Sequence, residues 1–217
     1  MKLILFLTFA ILNTVHLSAT AQYPDNLFYK GKEYALHSNP LEDYFDKHPD
    51  KRPKGGMMSS ALWRGYIASF EFIDSQLYVK DIQIEVRDSG SKELYKTKWV
   101  SVLKEVFPGE ERIKTDWVTG ILVIPYGKLV NYVHMGYGST YEKYILLEID
   151  KGDLKKEKKY NYKEYEKFKE RQFEAFKKTE EYQKLKTDLM KDGSTDAFVD
   201  SFLRSYITSY TTRILED

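Results

Sequence analysis

Within residues 22–217, the side chains that could carry chemistry are Asp81, Asp116 and Glu142 near expected strand ends, the histidines His37, His48 and His134, and Ser139 in a glycine-rich segment. Two carboxylates at a suitable separation perform acid–base chemistry on glycosidic bonds, and Asp81, Asp116 and Glu142 are the candidates for such a pair. A catalytic zinc takes three protein ligands, commonly with two histidines at a short fixed spacing. None of these three histidines has a second at that spacing, so no metal and no cofactor is expected. His134, in a segment that reads as strand, is the best held of them. Ser139 lies in Gly136-Tyr137-Gly138-Ser139-Thr140, which matches neither the G-x-S-x-G elbow nor the Ser-x-x-Lys signature. The segment also lacks the Gly-Lys-Ser/Thr of a phosphate loop. A turn between strands is expected there, with glycine reaching positive φ.

The aromatic content of 18 Tyr, 12 Phe and 3 Trp in 217 residues is the sharpest departure from an average chain. Tyrosine offers a flat apolar face with a polar tip, which suits stacking on a sugar ring or against a protein surface. Periodic stripes assign many of these rings to the core. Tyr23, Tyr44, Trp63, Tyr126, Tyr137 and Tyr141 fall outside the stripes, in loops or at strand ends. In Trp63-Arg64-Gly65-Tyr66, a structural cation–π contact of Arg64 is preferred over a platform for an anionic sugar. The expected binding surface comprises Trp63, Arg64, His134, Tyr137, Ser139 and Tyr141, presented by the loop over residues 38–63 and the turn over residues 136–141.

The elements that must position these groups follow from periodicity. Residues 27–29 and 33–37 flank Lys30-Gly31-Lys32 and read as a hairpin. Residues 38–60 are rich in Pro and Gly and read as a long surface loop with one helical turn near residues 41–45. Residues 66–73 alternate, turn at Asp74-Ser75-Gln76 and continue over residues 77–86, where the apolar parity changes near Lys80-Asp81 as a bulge would require. Trp99, Leu103, Val106 and Phe107 predict a short helix within residues 92–107. Apolar runs over 117–124, 129–135 and 144–149 predict three strands of an antiparallel meander, the first two joined through Pro125-Tyr126-Gly127-Lys128. Asn161 with Glu164 resembles a capping box. It opens an expected helix of about 30 residues, roughly 45 Å long, whose stripe includes Tyr165, Phe168, Phe176, Tyr182, Leu185 and Leu189. Glu174 with Lys178 and Glu180 with Lys184 are expected pairs on its outer face. Lys155, Lys156, Lys158 and Lys159 precede it as a solvated cluster. Ser194 or Thr195 should cap a last helix carrying Phe198, Phe202, Tyr206 and Tyr210.

The fold class expected is α+β: an antiparallel sheet of about five to seven strands followed by a C-terminal helical hairpin. One globular domain is expected over residues 22–217, sheet-rich over 22–150 and helical over 160–215. Met1-Lys2, the apolar residues 3–12 and Ala19-Thr20-Ala21 have the layout of a cleavable signal peptide over residues 1–21. Export to a periplasm or to the outside is expected. A membrane span is not, because an apolar run of about ten residues is half of what a bilayer core needs.

Lys2 is the one charged residue in that leader, so of 34 basic and 33 acidic residues in the chain the remainder balances at zero. Nucleic acid is therefore a poor partner. With no cysteine, neither disulfides nor thiolate metal sites are available. The composition favours a binding or interaction protein, with a glycan or an envelope protein as partner. The runner-up is a carboxylate-dependent hydrolase acting on glycans or envelope polymers.

Overall fold

A computed structural model describes residues 21–215 except Leu94 and Asp192. The expected leader, but for Ala21, lies outside the described residues. The chain forms β1 (Asp25–Tyr29), β2 (Lys32–Leu36), α1 (Glu42–Lys47), β3 (Ile67–Ile73), β4 (Gln76–Arg87), β5 (Thr97–Ser101), α2 (Leu103–Val106), β6 (Ile113–Lys114), β7 (Gly120–Asn131), β8 (Thr140–Asp150), β9 (Asp153–Asn161), α3 (Tyr162–Phe176), α4 (Glu180–Lys191) and α5 (Asp196–Ser205). The fold is mixed α+β with C-terminal helices.

Local chemistry explains the hairpins. Lys30-Gly31, Asp74-Ser75 and Lys151-Gly152 hold both central residues at positive φ, between 49° and 79°. That two-residue turn matches the twist of the strands it joins. In β4, Ser69 pairs with Asp81 while Phe70 pairs with Val79, so Lys80 is the extra residue of a bulge. The bulge restores parity, and Leu77, Val79, Ile82 and Ile84 all face the core.

The strands lie in the order β2-β1-β3-β4-β9-β8-β7, with β5 and β6 also paired to β4. The expected purely antiparallel sheet is corrected to a mixed one, because β1 and β3 run parallel. A parallel pair needs a long crossover, and residues 37–66, including α1, supply it. The sheet then curls until its two ends meet: His37 N–H donates to Val123 O at 2.8 Å and Val123 N–H to Ser38 Oγ at 3.1 Å. Leu27, Leu36, Phe70, Leu77, Ile124 and Leu147 share the enclosed core. On the opposite face of β7 and β8, Ile121, Val123, Tyr144 and Leu146 pack under Tyr165 and Phe168 of α3. Ile121 to Ile124 form an unbroken apolar run because both faces of that stretch are covered.

Four further expectations are corrected. Trp99 lies on a strand, opposite Glu85 of β4, and only residues 103–106 of the expected helix are helical. Thr97, Trp99 and Val100 favour a pleated surface, and a free β4 edge was there to pair with them. The two strands expected over 117–135 are one, β7, which continues through an irregularity between Tyr126 and Leu129. There Gly127 sits at φ +84° and Glu142 Oε2 accepts from Lys128 N–H at 3.0 Å. The lysine cluster is strand β9, paired along β8, with Tyr160 stacked on Phe168 at 5.4 Å. The 30-residue helix breaks after Phe176, because Thr179 Oγ1 donates back to Phe176 O and accepts from Tyr182 N–H, starting α4. Phe173, Phe176 and Tyr182 then meet Val199 and Leu203 of α5 in a third, smaller cluster. The capping box forms as read, and Thr195 caps α5 through Phe198 N–H at 3.3 Å.

Candidate functional site

Where β2 leaves the sheet, His37 is pinned by its own N–H to β7, so its side chain stands at the seam of the curled sheet. Its imidazole stacks on the Tyr137 ring, with centroids 4.5 Å apart and planes 17° apart, and meets the edge of Tyr141 at 5.6 Å. Burial alone pushes the imidazole down to about 4, so it is neutral at physiological pH. Among the described residues its ring nitrogens have no hydrogen-bond partner.

Tyr137 is presented by a compact loop over residues 133–139. Ser139 Oγ accepts from Val133 N–H at 3.1 Å and lies 3.3 Å from Val133 O, while Gly138 N–H donates to Met135 O at 2.8 Å. A Cβ on Gly138 would lie 3.0 Å from that same carbonyl and 3.1 Å from the Val133 side chain, so a larger residue there would force the loop to give by a few tenths of an ångström.

Behind the stack lies a buried polar network. The Tyr137 hydroxyl donates to Asn39 Oδ1 at 2.8 Å and accepts from Arg64 Nη1 at 3.1 Å. Burial pushes this phenol up to about 12 against the pull of Arg64. Arg64 Nη2 donates to Tyr23 O at 3.0 Å and to Asp25 Oδ1 at 3.1 Å, with both side chains all but inaccessible to solvent. Asp25 Oδ1 also accepts from Ala68 N–H at 2.9 Å. Desolvation outweighs the guanidinium and pushes the Asp25 carboxyl up to about 6. Arg64 further stands 5.7 Å over the Tyr66 ring, and the Tyr66 hydroxyl donates to Oε1 of Glu42, whose two carboxylate oxygens accept from Nη1 and Nη2 of Arg52. Tyr137 is thus braced from the sheet side through two ion pairs.

Two cavities open on either side of this wall, each lined by both His37 and Tyr137. The first, about 610 Å³, runs between the loop after β2 with the start of α1 (Asn39, Glu42, Asp43) and the turn after α5 (Thr208, Tyr210, Arg213). The second, about 420 Å³, lies between the Tyr137 loop and the helices, against Tyr165 and Lys169 of α3 and Phe198 and Phe202 of α5.

Of the residues singled out from the sequence, Arg64, Tyr137, Ser139 and Tyr141 come together here. Arg64 is a buried brace whose ring contact is the structural one, while Ser139 both shapes the loop and lines the second cavity. Trp63 is half exposed and lines neither cavity. His134 is exposed in a loop rather than held in a strand, edge-on to Tyr132 at 4.5 Å, and also lines neither. Asp81 accepts from Gln83 and Ser101, Glu142 shapes the β7 irregularity, and Asp116 lies exposed between β6 and β7, so the three carboxylates do not converge. Among the described residues no group of His, Asp or Glu is arranged to hold a metal ion.

The sequence pattern marks His37 only as one of three histidines weighed as metal ligands, and Phe198 and Phe202 only as core. A histidine at the end of a hairpin strand carries no local mark of a seam with a strand 86 positions on, and the two phenylalanines fit a core stripe equally well. No family model, curated protein or solved structure matches the chain.

Proposed function

We propose that this chain is an exported binding protein that takes a small molecule at the seam between the curled sheet and the C-terminal helices. The observation that carries this reading is the His37–Tyr137 stack, which walls two cavities at once and is held from behind by buried Arg64 and Asp25. Concave sites with aromatic walls and a few placed polar groups are what small ligands use. Export rests on the leader-like layout of residues 1–21, and among the described residues no helix is long and apolar enough to cross a membrane. The scattered carboxylates lend no support to the hydrolase alternative.

The test is a thermal-shift screen of the purified protein against small apolar molecules, oligosaccharides and envelope polymers. A saturable rise in midpoint that Tyr137→Ala abolishes and Tyr137→Phe largely keeps supports the reading. Turnover of any glycan, or shifts indifferent to Tyr137, would overturn it.

A further inference from the structure

Resting on the seam as a small-molecule site, we infer that the second cavity takes an uncharged, largely hydrocarbon molecule carrying a hydroxyl group, with His37 as the residue that recognises the hydroxyl. The walls supply the hydrocarbon half of the argument. Met135, Tyr137, Tyr144, Tyr165, Phe198 and Phe202 enclose about 420 Å³, and Phe198 and Met135 at its edge are more than half exposed, an apolar surface without a cover. The charges supply the neutral half. Lys169 and Glu166 are the cation and the carboxylate of the lining, and they satisfy each other at 2.8 Å, with the Lys169 ammonium also seated 5.2 Å over the Tyr165 ring. Arg64 faces the back of Tyr137, and its Nη groups are engaged by Tyr137, Tyr23 and Asp25. A carboxylate or an ammonium entering this cavity would lose its hydration without gaining an opposite charge.

The hydroxyl follows from the imidazole. Ser139, Ser205 and Tyr144 already hydrogen-bond backbone groups, whereas the His37 ring, like the Thr140, Ser201 and Tyr206 hydroxyls of the same lining, bonds to nothing among the described residues, and its stack on Tyr137 holds the imidazole in place. A neutral imidazole has one donor and one acceptor nitrogen, and a hydroxyl can answer either. Its burial keeps it neutral across the physiological range.

The test uses the protein without its leader and Nile red, an uncharged dye whose fluorescence rises in apolar surroundings. Dodecanol, dodecanoate and dodecylammonium then compete at neutral pH, each below its aggregation threshold. Dodecanol should displace the dye at a concentration at least about tenfold lower than either ion. His37→Phe, which keeps a ring against Tyr137, should weaken dodecanol by about fivefold or more beyond whatever it does to the dye. His37→Gln serves the same arm if the phenylalanine variant does not fold, and should retain part of the preference. Equal displacement by dodecanoate or dodecylammonium, or an alcohol preference untouched in the His37 variants, overturns the assignment with the site intact. No saturable dye binding, or dye binding indifferent to Phe202→Ala, overturns the small-molecule site itself.

Discussion

The two sides of the seam are built differently. On the sheet side, Leu27, Phe70, Leu77, Ile124 and Leu147 are fully enclosed, and the polar groups behind Tyr137 form a buried, cross-linked network. On the helix side, a small cluster of Phe173, Phe176, Tyr182, Val199, Leu203 and Ile207 holds α4 and α5 together, and charge pairs such as Lys191 with Asp188 lie at the surface. Local stability follows enclosed apolar contact, so the sheet should act as a fixed wall and the helical hairpin as one that can part from it. A ligand entering beside Phe198 would then be admitted by the helices and positioned by the sheet.

The largest effect expected from breaking this contrast is at Arg64. Arg64→Met leaves Asp25 buried with one oxygen already unpartnered and its other losing a charged donor, which should cost about 3–5 kcal/mol in urea unfolding. Lys191→Met removes a pair of the other kind, with Asp188, exposed on both sides and screened, and should leave the unfolding midpoint unchanged. Similar costs for both would mean that the two sides do not differ as described.

Next in size is the core of the helical hairpin. Leu203 is fully buried, and Leu203→Ala should cost about 2–3 kcal/mol by leaving a void. The sharper readout is amide exchange. Exchange in α4 and α5 should accelerate while β8 keeps its protection; acceleration of both together would make the hairpin part of one cooperative unit with the sheet.

What the sequence made legible follows the same division between near and far. The Lys30-Gly31 turn, the Lys80 bulge, the Asn161–Glu164 capping box and the Thr195 cap are each decided within a few residues, and each formed where periodicity placed it. The parallel pairing of β1 with β3, the meeting of His37 with Val123 and the Asp25–Arg64 pair span 39 or more positions. No local pattern marks such partners. Trp99 and the lysines of β9 misled for a related reason: a strand on an edge, or with one wet face, need not alternate cleanly, and its identity comes from the neighbour that pairs with it. Of the site, Tyr137, Arg64 and Tyr141 were visible as aromatic and cationic residues outside any stripe, whereas the wall they build with His37 depends on the closure of the sheet.

The network and the stack should also differ in the sign of their response to acid. Asp25 titrates near 6 in the folded protein against an ordinary value of 3.8. The folded state therefore holds its proton more tightly, and stability gained from this group at low pH is lost as pH rises through about 6. His37 titrates near 4 against an ordinary 6.5, so the unfolded chain takes the proton first and stability from this group is lost as pH falls from about 6.5 toward 4. The two slopes oppose each other across the window from about 4 to 6. Relative to the wild type, His37→Phe should gain stability on acidification through that window and Asp25→Asn should lose it. Parallel shifts in the two variants, read by denaturant midpoints at several pH values, would show that one assignment is wrong.

The smallest expected effect separates two histidines that look alike in sequence. Each lies beside a tyrosine ring at 4.5 Å, but His37 is stacked on Tyr137 in a half-buried wall while His134 meets Tyr132 edge-on in an exposed loop. The Tyr132 hydroxyl reaches His134 Nδ1 only at 3.4 Å, a weak contact that water can replace. His134→Ala should change stability by less than about 0.5 kcal/mol and leave dodecanol binding as it was. If His134→Ala instead weakened binding as much as a change at His37, the exposed loop would be part of the site, and the division between a fixed wall and a mobile rim would have to be drawn through residues 132–139 rather than behind them.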